Sequence, residues 1–330
     1  MAARSLLCAR KTLCPCRLVG LLCYATLIKT SSIQAPPMLI SSRCFNHKRL
    51  EFAAVLFIII GILSTPPAAA LDELVIGVFP RRNPAVTIQL FKPLAAHLEE
   101  KLGVGVRLET APNFSAFERM LNSRRFHLVH LNQYQYIQAH DRLGYDALLQ
   151  NEEFGQKTIK GALYTRKDSG IKSIKDLQGR TILFGGGKDA MMSYLVHTYL
   201  LRKAGLMPGD YQEKFAISPP NAVLAVYLGH ADAAGAGDMV AQLPMVADKI
   251  DTNELMQLAV SDELPQLPWA VKQGLSDSVK DKIRYEMMLF SHSEQGVRIL
   301  QQAQLTGFNP VSDSDYDPIR TIMHKISGHH

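Results

Sequence analysis

From Leu74 onward, short β-rich apolar runs alternate with one-sided helical stretches, and this order restricts the chain to a parallel sheet with helices on both faces. Residues 74–79 form a compact apolar run stopped by Pro80, the pattern of a buried strand. Ile88, Phe91, Ala95, Leu98 and Leu102 then recur at spacings of three and four, as a helix with one packed side requires. Residues 104–108 alternate as a second strand, 114–121 return to helical spacing, and 126–131 read as a third strand. Ligands of such sheets sit beyond the carboxyl ends of the strands, which singles out residues 79–82, 112–115 and 132–136.

The second half repeats the style. Residues 159–165 predict a strand, 174–177 a helical turn and 181–184 another strand, which runs through Gly185, Gly186 and Gly187 into a helix ended by Gly205 and Pro208. A helix over 221–228, a strand of small residues over 231–236 and a strand over 255–260 follow. A proline-rich loop then leads to Trp269, and helices over 276–290 and 293–303 come after it.

Strand, three glycines, helix is the geometry of an anion cradle. Glycines let a ligand approach the backbone, and the free N–H groups and dipole of the helix start favour negative charge. Lys188 adds a full positive charge at the same place. The same residues also fit a glycine turn that merely caps a helix. A Walker loop is excluded, since the spacing is wrong and no hydroxyl follows Lys188; a dinucleotide fingerprint would need its last glycine where Ala190 stands. Asp189 is expected to cap the helix, and its carboxylate would then compete with an anion for the same amides.

The first 70 residues differ from the rest. They hold all five cysteines and eight of the 36 basic residues but one of the 30 acidic ones, which leaves 28 against 29 in the remainder. The basic excess therefore belongs to the leader, and nucleic acid is not expected as a partner. Basic residues 47–49, the apolar residues 52–63 and Ala68-x-Ala70 make a signal-peptide pattern, with cleavage expected after Ala70 and Met38 as a plausible true start. Twelve apolar residues are short for a membrane span. An exported domain without cysteine has no disulfide, thiol nucleophile or thiolate metal site.

These segments taken together resemble the periplasmic phosphonate, phosphite and phosphate-binding proteins of ABC importers. Residues 307–320, ending Asp-Tyr-Asp-Pro-Ile-Arg, look like that family's C-terminus; residues 229–233 resemble its turn into a strand, and Trp269 with the prolines before it matches its returning loop. The resemblance covers about residues 72–325. It implies an α/β, type II, two-lobed solute-binding protein. Each lobe would be a mostly parallel sheet flanked by helices, joined to the other by two crossover strands near 163–165 and 258–261. Lobe 1 would be residues 72–163 with 259–330, and lobe 2 residues 164–258. The implied partners are a small-molecule ligand and an inner-membrane ABC permease, or alternatively a sensor kinase, with a monomer expected and no cofactor or metal.

The site residues transfer less completely. Where the family has a hydroxyl-rich run, this chain has Ala190, Met191 and Met192, and Phe114 stands where the family often has an oxyanion-binding tyrosine. The resemblance leaves the backbone amides of 190–192, with Lys188 and Asp189 beside them. It puts Asn132 and Tyr134 in the loop after the third strand, and Asp238 near the acidic position that recognises an amino group. The expected ligand is a small anionic organic molecule, not necessarily a phosphonate. An enzyme is not expected: G-x-S-x-G, H-E-x-x-H and a cysteine nucleophile are absent after the leader, and His127 and His130 would lie on opposite faces of a strand.

Overall fold

The computed structural model describes residues 71–80 and 82–327. The signal peptide, its cleavage after Ala70 and the start at Met38 lie outside the described residues. No helix among those residues is long and apolar enough to cross a membrane.

The expected opening order is present: β1 (Glu73–Val78), α1 (Pro84–Leu102), β2 (Gly105–Glu109), α2 (Phe114–Asn122) and β3 (Leu128–His130). Among the elements not foreseen are α3 (Gln133–Leu143) and β4 (Tyr145–Glu152). The chain continues through β5 (Thr158–Ile159), β6 (Gly161–Arg166) and β7 (Thr181–Gly185) into a π-turn at Met191–Leu195 that runs on as α4 (Val196–Lys203). Next come β8 (Gln212–Ala216), α5 (Pro219–Tyr227), β9 (Ala233–Gly237), α6 (Pro244–Ala247) and β10 (Leu255–Val260). Last come β11 (Leu264–Pro265), β12 (Pro268–Lys272), α7 (Asp277–Met288), α8 (Glu294–Ala303), β13 (Gly307–Pro310) and α9 (Asp317–Ser327).

Two large sheets result, with orders β13-β4-β12-β3-β1-β2 and β10-β6-β9-β7-β8. Both are mixed. In the first, β2, β1 and β3 are parallel and β12 runs against β3 and β4; in the second, β8, β7 and β9 are parallel and β6 alone is reversed, running against both β9 and β10. Of the reversed strands, β6 and β12 are the first that the chain enters after β5 and β11.

Those passages run side by side. β5 and β11 pair antiparallel, Ile159 with Leu264 and Thr158 with Pro265, as a two-stranded ribbon. The positions expected to cross, 163–165 and 258–261, fall in or directly after β6 and β10, so the chain passes between sheets a few residues farther out. Pro265 has no N–H to give its partner. The Nε2 of Gln266 donates to the Thr158 carbonyl instead, at 3.4 Å.

Alternation along β1 sends Leu74, Ile76 and Val78 to one core, with Phe91 and Leu98 of α1, and Val75 to another, with Phe117 and Tyr136. Trp269 is fully buried, stacks on His130 at 4.6 Å and donates to Asn151 at 2.9 Å. His127 accepts from the Val75 amide at 3.0 Å. Both histidines therefore serve the fold of the first sheet.

Candidate functional site

The carboxyl end of β3 delivers the chain into α3 through Asn132. Its Oδ1 accepts from the Gln135 amide at 2.8 Å and the Gln135 side chain returns to the Asn132 amide, a capping box that fixes this helix start. The other end of the same carboxamide is free to act elsewhere. Asn132 Nδ2 donates to the main-chain carbonyl of Asp189, 3.3 Å away in the glycine loop after β7. One side chain thus caps a helix beside the first sheet and grips the loop of the second.

Around this bond the two halves share one apolar cluster. Phe79 and Val129 from the first sheet, with Tyr136 from α3, belong to the same packed group as Met191, Leu195 and Val196, and Phe114, Tyr134 and Met192 border it. Met191 is 1% exposed. The rings of Phe79 and Phe114 are 6.1 Å apart. Burial, together with the Asp189 and Glu118 carboxylates, raises the Tyr134 phenol above its ordinary pKa, so it remains a hydrogen-bond donor.

The glycine loop departs from its expected form. Gly186 has φ +92°, a left-handed turn that only glycine adopts without strain, and the helix begins at Met191, not at Asp189. Asp189 is exposed and caps nothing with its carboxylate, because its backbone is still in the loop two residues before the helix. The Ala190 amide bonds Gly187. The amides of Met191, Met192 and Ser193 open the helix with no hydrogen-bond partner among the described residues. The Ser193 hydroxyl is spent on the Gly185 carbonyl.

Lys188 turns away from Asn132. Its Nζ lies 3.0 Å from Glu213 on β8 and over the Tyr194 ring, with the side chain 67% exposed. Asp238 stands apart as well, at the end of β9, where its carboxylate accepts from the Lys160 amide at 3.2 Å and its carbonyl from the Tyr164 hydroxyl at 2.6 Å. Of the sequence-predicted residues, then, Asn132, Asp189, Ala190, Met191, Met192, Phe114 and Tyr134 gather at one place, and Lys188 and Asp238 belong to neighbouring clusters.

The helix that presents the free amides is seated by glycine. A Cβ on Gly235 of β9 would lie 2.4 Å from the Ser193 carbonyl and 3.0 Å from His197 Nδ1, so the small-residue strand allows this close approach. His197 is fully buried, and burial lowers its pKa to about 4 against the opposing effect of the Ala162 and Ser193 main-chain groups near its ring. Among the described residues no group of three His, Cys, Asp or Glu is placed to hold a metal.

Over residues 76–316 the chain matches the family described as ABC transporter, phosphonate, periplasmic substrate-binding protein. The chain belongs to this family. The phosphonates-binding periplasmic protein of Escherichia coli is 23% identical over 235 residues, 70% of each chain. A binding protein component of a Pseudomonas aeruginosa ABC phosphonate transporter superposes with a TM-score of 0.67 at 19% identity, covering 77% of this chain and 86% of that one. A Prochlorococcus marinus protein in complex with methylphosphonate gives 0.67 at 18% identity, covering 78% and 99%. The fold is accordingly that of the type II periplasmic binding proteins, and nothing in these matches supports the sensor-kinase alternative.

Phe114, Ala190, Met191 and Met192 offer no side-chain hydrogen-bond donor at this place. Sequence reasoning also missed Gln133. It is 0% exposed and its Nε2 donates 2.9 Å to the Pro265 carbonyl of the ribbon. The asparagine at 132 followed three residues later by Gln135 is the signal that marks this helix start.

Proposed function

We propose that this protein captures a small anionic organic ligand, phosphonate-like or related, in the cleft between its two sheets and delivers it to an ABC permease. The lobes, expected at residues 72–163 with 259–330 and at 164–258, would part at the β5·β11 ribbon, since β6 and β10 lie whole in the second sheet, and they open and close about that ribbon. The observation that carries this reading is the pair of features facing each other at the cleft. Asn132 reaches across to Asp189, and directly beyond it three unpaired amides open a helix, the arrangement that binds an anion without side-chain help. Phe79, Phe114, Tyr134, Met191 and Met192 give the ligand's organic part an apolar wall. Asp189 contributes through its backbone carbonyl, and Lys188 and Asp238, which sit in neighbouring clusters, act at the margins of the site.

No catalytic step is assigned to these groups; the protein binds and releases. It acts as a monomer in the periplasm after export and cleavage behind Ala70. Calorimetric titration of the purified protein with methylphosphonate, phosphate and a short alkanesulfonate tests the reading: saturable one-to-one binding of at least one is expected, and failure of all three at millimolar concentration contradicts it.

A further inference from the structure

α9 touches elements of both sheets' surroundings, and it does so with different ends. Its first turn stays with α3: the Arg320 guanidinium donates to the Asp313 carboxylate at 2.7 Å, the Tyr136 hydroxyl donates to the same carboxylate at 2.7 Å, and the rings of Tyr136 and Tyr316 lie 4.7 Å apart. Its last turn meets α4. Arg202 donates through a terminal nitrogen to the Ile326 carbonyl at 2.5 Å, and Lys325 and Lys203 stand 5.5 and 6.0 Å from the centre of the Tyr199 ring. Between these ends Ile319 and Ile322 are buried in the cluster that holds Leu195 and Val196, with Tyr199, Leu200, Met323 and Ile326 along its border.

The Arg202 contact has the chemistry of a helix cap. The last carbonyls of a helix have no partner within it and lie at the negative end of its dipole, so a guanidinium there is favoured both by the hydrogen bond and by the charge. Here the cap comes from another helix, which makes it a tie between elements and not a local ending. It is made in the same conformation in which Asn132 grips the Asp189 carbonyl.

We infer that the end of α9 is a latch between the lobes: Arg202 holds it when the lobes are together and releases it when they part, so this contact sets how much of the ligand-free protein is closed. The inference rests on the proposed lobes, which put α3 and α9 in one and α4 in the other. A ligand that binds the closed form draws on that population, and one charge-assisted hydrogen bond is enough to shift it about tenfold. Arg202 is in the last turn of α4, whereas the anion site lies before its start, so the latch can be altered without touching the ligand contacts.

The test is an inter-lobe distance measured by double electron–electron resonance, in the full chain with its five cysteines replaced by serine. Spin labels are carried by Lys92→Cys on α1 and Lys214→Cys on β8, both exposed and one on each lobe. Without ligand this parent is expected to show a dominant closed distance, and Arg202→Met to raise the ratio of open to closed about tenfold. Lys325→Ala, a milder change at the same interface, should shift the ratio in the same direction, and it decides the matter if Arg202→Met does not fold. A purely structural Arg202 would lower the denaturation midpoint and leave the distances of the folded protein unchanged, which would overturn the inference. A parent already open without ligand would overturn it as well. Methylphosphonate then tests the reading beneath it: if a saturating concentration leaves every distribution unmoved while Arg202→Met still differs from the parent, the ligand reading fails and the latch stands.

Discussion

Asn132 Nδ2 and the Asp189 carbonyl lie 3.3 Å apart between the start of α3 and the glycine loop, while Oδ1 of the same side chain holds the start of α3. Asparagine is suited to both tasks, since aspartate and serine cap as well or nearly so but lack the amide donor. Asn132→Asp should keep thermal stability within about 1 kcal/mol while weakening ligand binding about tenfold, because the cross-cleft donor is replaced by a charge facing a carbonyl. Asn132→Ala should show the same loss of binding plus about 1 kcal/mol of destabilisation from the missing cap. Paired thermal melts and titrations separate the two effects.

Met191 and Met192 are adjacent but differ in depth, Met191 being buried and Met192 half-buried. Met191→Ala should cost about 2–5 kcal/mol of stability and Met192→Ala clearly less, measured by urea unfolding. Equal costs would contradict the placement of Met191 in the shared core.

Lys188 is paired with Glu213 and largely exposed. An exposed ion pair is worth little, so Lys188→Ala should change ligand affinity by less than about threefold. A loss of a hundredfold in a titration would mean that the lysine, and not the helix amides, holds the anion.

The last helix is tied to both α4 and α3. Arg202 of α4 donates to the Ile326 carbonyl of α9 at 2.5 Å, and Lys325 lies 5.5 Å over Tyr199. On its other side α9 is fixed by Arg320 to Asp313, which also accepts from the Tyr136 hydroxyl of α3 at 2.7 Å. Arg202→Ala should therefore destabilise by about 1–3 kcal/mol in chemical unfolding, the cost of losing a charge-assisted bond.

His197 is neutral when folded, with a pKa lowered to about 4 by burial from the ordinary 6.5. Between these values the unfolded chain binds a proton that the folded one refuses, so stability falls as pH drops from about 6.5 towards 4. His127, also lowered by burial, adds to the same slope. His197→Gln should flatten the slope in denaturation curves at pH 7, 6, 5 and 4.5; an unchanged slope would contradict the buried neutral ring. Carboxylates held low, such as Asp313 by Arg320 and Tyr136 against the opposing effect of burial, act only at lower pH.

Strands and helices with dense apolar spacing, such as β1, α1, β7 and α8, were legible because one local pattern decides them. α3 was not, since its Gln133, Gln135 and His140 look polar: Gln133 is held by Pro265, more than a hundred residues away, and the local partners of the other two, Asn132 and Tyr145, leave no apolar spacing to read. β4 escaped because its pairing comes from β12 and β13, more than a hundred residues later. The glycine loop was recognisable, but the start of its helix depended on Gly186 and on Ala190 turning back to Gly187, which moved Asp189 out of the cap. The direction of Lys188 was set by Glu213 on a strand that sequence spacing did not reveal.

The most direct test is to follow the backbone amide resonances of the purified protein while methylphosphonate is added. The largest shifts are expected on Met191, Met192 and Ser193, with the side-chain amide of Asn132 moving as the ligand is enclosed. Saturable binding that leaves those three amides unmoved would contradict the proposed anion site.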